Sequence, residues 1–250
     1  MTLLVTVYVK EGIIMASDSR ISFDETQIIN DSEGCKAQTI KRCNVHYSDT
    51  SYKLFVTKSG VGISACGAAS INNSPIAGYI DTFVRENANT SVTEIPNKLL
   101  EYVTSLDPNL ESEFHIAGYF DNNGLLEQKA YRVFTSPNTP PDNKIEIINT
   151  TEQGAMWNGE TDVVSRLISQ ELYLKSTDQG RDIYMIHAGH GILWQYFTLQ
   201  DAIDFAESAI KTTIDCIRFQ QRPKTVGGPI DILLIKPDGH RWITQKVLHV

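Results

Sequence analysis

The 250-residue sequence has no uninterrupted apolar run of the roughly eighteen residues that a membrane-spanning helix needs. Its start is apolar but lacks a basic leader, and Lys10-Glu11 interrupts it, so no signal peptide is expected. Cysteine is sparse: Cys35, Cys43, Cys66 and Cys216 are scattered, with no Cys-x-x-Cys pair. With neither a disulfide framework nor an export signal, a cytoplasmic location is expected. Basic residues are in the minority, 22 Lys and Arg against 30 Asp and Glu. The resulting net charge of -8 argues against a nucleic-acid partner. No internal repeat, linker or composition break is visible, which implies one domain over residues 1–250 with an insertion at about 21–52. The spacing of Cys35, Cys43 and His46 is not that of the usual zinc knuckles, and His187 and His190 lack a third ligand nearby. Neither a metal nor another cofactor is expected.

What is present begins at the first residues. Leu3–Val9 and Ile13–Ala16 are apolar runs flanking Lys10-Glu11-Gly12, a two-stranded hairpin with Gly12 in the turn. If Met1 is removed, Thr2 carries a free α-amine beside a hydroxyl, so one residue can supply both nucleophile and base. The return strand brings Asp18 and Arg20 to the same end of the hairpin as Thr2.

The stretch Ile21–Tyr52 is polar and aperiodic and reads as a surface loop with a short strand. Lys53–Val56 and Val61–Ala65 form a second hairpin, ending at Cys66-Gly67. A helix starts near Ser74-Pro75, with Ser74 as its cap, and turns Ile76, Ile80, Phe83 and Val84 to one face. A second runs over about Thr93–Leu106, with Ser91 and Glu94 spaced as a capping box. Phe114–Phe120 and Leu125–Phe134 are strands joined through Asp121–Gly124, and Lys144–Asn149 is a further strand. Gly154–Gly159 leads into a helix from Glu160 to about Tyr173, with Val163, Val164, Leu167, Ile168 and Leu172 inward. Gly180–Phe197 shows no clear period. Thr198 caps a long helix over about Leu199–Phe219, and a last hairpin spans Gly228–Ile235 and Arg241–Val247. Antiparallel strands interleaved with helix pairs imply an α+β fold of four layers, helices-sheet-sheet-helices.

These residues resemble the proteasome-type N-terminal-nucleophile hydrolases, proteasome β subunits and their smaller bacterial relatives. Thr2 sits where the family has its nucleophilic threonine. Asp18 follows it by sixteen residues within Ala-Ser-Asp-Ser-Arg, Lys53 opens Lys-Leu-Phe, and Gly67 follows Lys53 by fourteen. Gly227-Gly228-Pro229-Ile230-Asp231 resembles the family's Gly-Gly stretch before a late strand. The resemblance implies a threonine peptidase: Thr2 as nucleophile, Lys53 paired with Asp18 beside it, and the Gly67 N–H on the oxyanion. By position, Ile21, Phe55, Ala65 and Ala69 would line the pocket for the side chain before the cleaved bond. The two alanines suit large apolar side chains there. Arg20 is expected to partner nearby carboxylates, and Cys66 to be a buried small apolar residue.

The sequence departs from the family around the nucleophile. The usual serine before the third helix is missing from Met156–Glu160, and Pro223 and Val226 stand where an aspartate and a serine are common. Asn158 and Thr225 are the polar residues available to support the site instead. The family relationship implies peptide or unfolded-protein substrates, self-association into a ring or stacked homo-oligomer, and an unfoldase partner. The alternatives are a non-catalytic structural subunit of the same fold and an amidase acting on a small amide.

Overall fold

The computed structural model describes residues 2–29, 38–72, 74–168, 172–178, 181–186 and 191–248. For 24–29, 38–45, 172–176, 178 and 181–186 it describes the backbone alone. The strands in chain order are β1 (Leu3–Val9), β2 (Gly12–Ser17), β3 (Ile21–Ile29), β4 (Gln38–Ser48), β5 (Leu54–Val56) and β6 (Gly62–Gly67). The short β7 (Ser70–Ile71) and β8 (Ser74–Pro75) lead into helices α1 (Ile76–Glu86) and α2 (Ile95–Leu106). Then come β9 (Ser112–Asn122), β10 (Leu125–Phe134), β11 (Ile145–Ile148), β12 (Gly154–Gly159), α3 (Asp162–Ile168), β13 (Leu172–Asp178) and β14 (Arg181–Ile186). Helix α4 (Leu199–Phe219) and strands β15 (Asp231–Lys236) and β16 (Gly239–Thr244) close the chain.

Two five-stranded antiparallel sheets carry the structure, in the orders β12-β1-β2-β15-β16 and β11-β10-β9-β6-β5. Because successive side chains in a strand point to opposite faces, each central strand feeds two cores. In β1, Leu3, Val5, Val7 and Val9 pack with Ala202, Ala206 and Ile210 of α4 on one side of the first sheet. In β2 and β15, Ile13, Met15, Leu233 and Ile235 meet Leu54, Ala117 and Ala130 of the second sheet. On the outer face of that sheet, Ile63, Phe114 and Ile116 pack with Ile80, Phe83, Leu99 and Val103 of α1 and α2. The layers are therefore helices, sheet, sheet, helices, the α+β arrangement expected. Each fully buried aliphatic or aromatic side chain in these layers contributes about 1.5–3 kcal/mol.

Local chemistry explains where elements begin. Thr198 caps α4 in a reciprocal capping box: its hydroxyl accepts from Asp201 N–H, and the Asp201 carboxylate accepts from Thr198 N–H. The two expected caps upstream do not form. α1 starts after Pro75 without a side-chain cap, and α2 starts after Glu94, which instead pairs with Lys98 one turn on. Proline near the first helical position needs no N–H partner, so these ends tolerate the omission.

Two segments differ from the sequence reading. The stretch from Ile21 to Tyr52 is not irregular: β3 and β4 pair with each other over most of it. Among the described residues they join neither main sheet, so they lack the sequence pattern that burial imposes on a central strand. The helix expected to reach Tyr173 is described to Ile168, Leu167 on it is 65% exposed rather than inward, and Leu172 opens β13 instead. Its β-favouring residues pair with β14, inside the segment that showed no period. Of the residues weighed for metal, Cys35, His187 and His190 lie outside the described residues, and Cys43 outside the described side chains. Among the described residues no helix is long and apolar enough to cross a membrane.

Candidate active site

Thr2 lies one residue before β1 and is 5% exposed. Its carbonyl accepts a hydrogen bond from Glu160 N–H at 2.7 Å, and Leu3 pairs opposite Gly159. A Cβ at position 159 would fall 1.9 Å from the Thr2 carbonyl oxygen, and φ there is +94°. Only glycine allows the end of β12 to approach the first residues this closely.

Asp18 follows β2 and is completely buried. Four donors converge on its carboxylate. Oδ1 accepts from Leu3 N–H at 3.2 Å and from Lys53 Nζ at 2.9 Å. Oδ2 accepts from Arg20 N–H and Gly227 N–H, both at 3.0 Å. Lys53, at the mouth of β5, is 6% exposed and also donates to the Arg20 carbonyl. Burial pushes the Lys53 ammonium below its ordinary pKa, and the adjacent Asp18 carboxylate pulls it back up. A buried ion pair with this many hydrogen bonds is a fixed charge arrangement rather than a mobile surface contact.

Arg20 points away from that pair. It forms a bidentate bridge to Asp49, at 2.6 and 2.7 Å, donates to the Lys224 carbonyl and lies over the Tyr47 ring. It thus partners a carboxylate, as its position suggested, and ties the base of the β3–β4 ribbon to the segment before β15. Gly67 ends β6 with φ of +104°, and a Cβ there would meet the Glu111 carbonyl oxygen at 2.5 Å. It is exposed, so its backbone is open to a ligand.

These residues surround one cleft, lined by Thr2, Arg20, Ile21, Lys53, Phe55, Ala65, Gly67 and Ala69 among others. Asp18 stands behind Lys53. Thr2, Lys53, Gly67 and all four residues expected in the pocket are therefore brought together. Cys66 also borders the cleft, but burial and then the neighbouring Glu113 raise its thiol pKa well above the usual range. A thiol held neutral in this way is a poor nucleophile.

Asn158 and Thr225 are placed differently. Asn158 hydrogen-bonds His115 and Glu113, between the sheets. Thr225 donates to the Glu160 carboxylate at 2.7 Å, where Arg222 also binds. Thr225 therefore supports the residue whose N–H holds the Thr2 carbonyl. The sequence reading missed Gly159, Glu160 and Asp49. The first two stand in the stretch Met156–Glu160 that the sequence reading singled out only for its missing serine.

No family model and no curated protein matches this chain. Solved structures do, among them the Anbu (Gly-1) mutant from Hyphomicrobium sp. strain MC1, a bacterial protein of proteasome-like fold. The likeness has a TM-score of 0.57 at 10% identity and covers 98% of this chain and 86% of that one. The chain has the proteasome-like, N-terminal-nucleophile hydrolase fold. Within this proteasome-like fold, the end of the first hairpin, the start of β5 and the end of β6 converge on a single cleft.

Proposed function

We propose that the protein is a threonine peptidase that uses Thr2 as an N-terminal nucleophile once Met1 has been removed. One observation carries the reading: Asp18 Oδ1 accepts from both Leu3 N–H and Lys53 Nζ, beside a cleft that Thr2 and Gly67 line. In the reaction, Thr2 Oγ attacks the peptide carbonyl carbon while its proton passes to the α-amine, directly or through water. The positive charge of Lys53 disfavours a second charge on that amine and so keeps it in the neutral form that can accept a proton. The Gly67 N–H stabilises the oxyanion, a contribution of about 2.7–4 kcal/mol for one such donor. Collapse of the tetrahedral intermediate returns the proton to the leaving amine and leaves an ester on Thr2. Water, with the same amine as base, then attacks the ester and restores the hydroxyl.

The cleft walls, Phe55, Ala65, Ala69 and Ile21, suit a large apolar side chain before the cleaved bond. The same reading includes unfolded polypeptide as substrate, a ring or stack of copies that encloses the sites, an unfoldase partner and a cytoplasmic setting. Intact-mass measurement tests the loss of Met1. Covalent labelling by an epoxyketone, which reacts with an amine and hydroxyl on one residue, tests the nucleophile. Labelling that survives Thr2→Ala overturns the assignment.

A further inference from the structure

A second pocket shares Cys66 and Gly67 with the substrate cleft but has its own walls, among them Glu111, Glu113, Ser136 and Gly159. Gly67 is thus a divide between two hollows, and Gly159 brings the second one up against the Thr2 carbonyl. A peptide whose acyl half fills the first hollow, with its carbonyl oxygen on Gly67, carries the group after the scissile bond across that divide.

The second pocket is charged in one sense only. Its lining includes two glutamates and neither lysine nor arginine. Glu113 is held there by a buried chain of hydrogen bonds that crosses the space between the sheets. Asn158 Nδ2 donates to Glu113 Oε2 at 2.6 Å, which fixes Asn158 Oδ1 as the acceptor for His115 Nε2 at 2.7 Å. His115 therefore carries its proton on Nε2 and accepts from the Thr6 hydroxyl at 2.9 Å on Nδ1. Thr6 and His115 are fully buried. Every partner along this chain is neutral, and among the described residues no cation pairs with Glu113. The carboxylate is anchored by neutral groups alone, Asn158 and, at 3.9 Å, the Cys66 thiol. A cationic ligand group supplies what the protein does not.

We propose that this pocket receives the residue after the cleaved bond and selects lysine or arginine there, with Glu113 as the acceptor of the cation. The inference rests on the peptidase reading, and its test separates the two. Internally quenched peptides, identical except for Lys, Ala or Glu after the scissile bond, are compared with a peptide amide that releases a neutral coumarin. The processed protein is expected to cleave the Lys peptide at least about tenfold faster in kcat/KM than the Glu peptide. Glu113→Gln, nearly isosteric and still able to accept from Asn158, is expected to bring that ratio within about threefold. Coumarin release with no Lys-over-Glu preference in the unaltered protein overturns the pocket assignment and leaves the peptidase reading standing. Failure to cleave any of the four substrates overturns both.

Discussion

Lys53 Nζ and Asp18 Oδ1 are 2.9 Å apart, on side chains 7% and 0% exposed. The pair lies between three stretches that are distant in sequence, because Asp18 also accepts from Leu3 and Gly227. Removing one member strands the other charge in the interior. Lys53→Ala is therefore expected to lower the unfolding free energy by about 3–5 kcal/mol, measured by urea titration. In the fraction that remains folded, epoxyketone labelling of Thr2 is expected to fall at least a hundredfold, by analogy with loss of other catalytic acid-base groups (~10²–10⁴). Folded Lys53→Ala that labels at the rate of the unaltered protein removes Lys53 from the mechanism.

Gly159 and Gly124 give a matched pair of backbone tests. Both have positive φ, +94° and +88°. A Cβ at Gly124 would meet nothing within 4 Å, whereas at Gly159 it would overlap the Thr2 carbonyl. Gly124→Ala should show only the strain of the conformation, about 1–3 kcal/mol, with Thr2 labelling intact. Gly159→Ala carries the same strain and must also displace Thr2 or part β12 from β1. It is expected to lower labelling at least about tenfold beyond any loss of folded protein, since a 1 Å misplacement can cost ~10² in rate. Equal labelling in the two variants would show that the close approach does not position the nucleophile.

His115 makes the stability of the sheet pair depend on pH. It is completely buried, and desolvation, opposed by the Asn158 hydrogen bond, pushes its pKa down to about 4. The unfolded chain binds a proton at this residue below about pH 6.5, while the folded chain stays neutral until about pH 4. The unfolded state thus gains protons first, and stability falls as pH drops through that window. The shift corresponds to roughly 3 kcal/mol, fully lost by about pH 4. Urea titrations at pH 7, 5.5 and 4 on the unaltered protein and on His115→Gln measure it as the difference between the two slopes, which cancels the carboxylates common to both. Parallel slopes would mean that His115 takes up its proton inside the fold.

The four layers were legible because β1, β2 and β15 are apolar on both faces and α1, α2 and α4 have clean helical stripes. That is the pattern burial imposes on central strands and on helices covering a sheet. The β3–β4 and β13–β14 ribbons were not legible: among the described residues each of these strands pairs only within its own ribbon, outside the two main sheets, so no central-sheet pattern marks them. The site divided along the same line. Thr2, Asp18, Lys53 and Gly67 lie at fixed offsets along elements with strong signals. The supporting groups do not: Asn158 turned out to serve His115 and Glu113, and Thr225 to serve Glu160. The first pairing is set by how the two sheets stack and the second by loops that flank β12 and β15 of one sheet, distances that no spacing along the chain records. Glu113 and His115 alternate on β9 toward the space between the sheets, and only the structure shows what faces them.

The width of the substrate cleft sets what it accepts before the cleaved bond. Ala65 and Ala69 are the small residues of the cleft wall, and Phe55 and Ile21 the large apolar ones. Ala69 is half-buried at the cleft rather than packed in the centre of the core, so a larger side chain there fills the cleft more than it strains the fold. Ala69→Phe is expected to reduce kcat/KM for peptides with Phe or Leu before the scissile bond by about tenfold or more, the scale on which apolar pockets discriminate by size. Peptides with Ala at that position, which need little of the volume, should change by less than about threefold. The loss should appear mainly in KM if the side chain is bound equally in ground and transition states. A panel in which the unaltered protein cleaves best after Asp or Glu would contradict the apolar reading, because no wall of the cleft other than Lys53 and Arg20 offers a positive charge, and both are already committed to carboxylates.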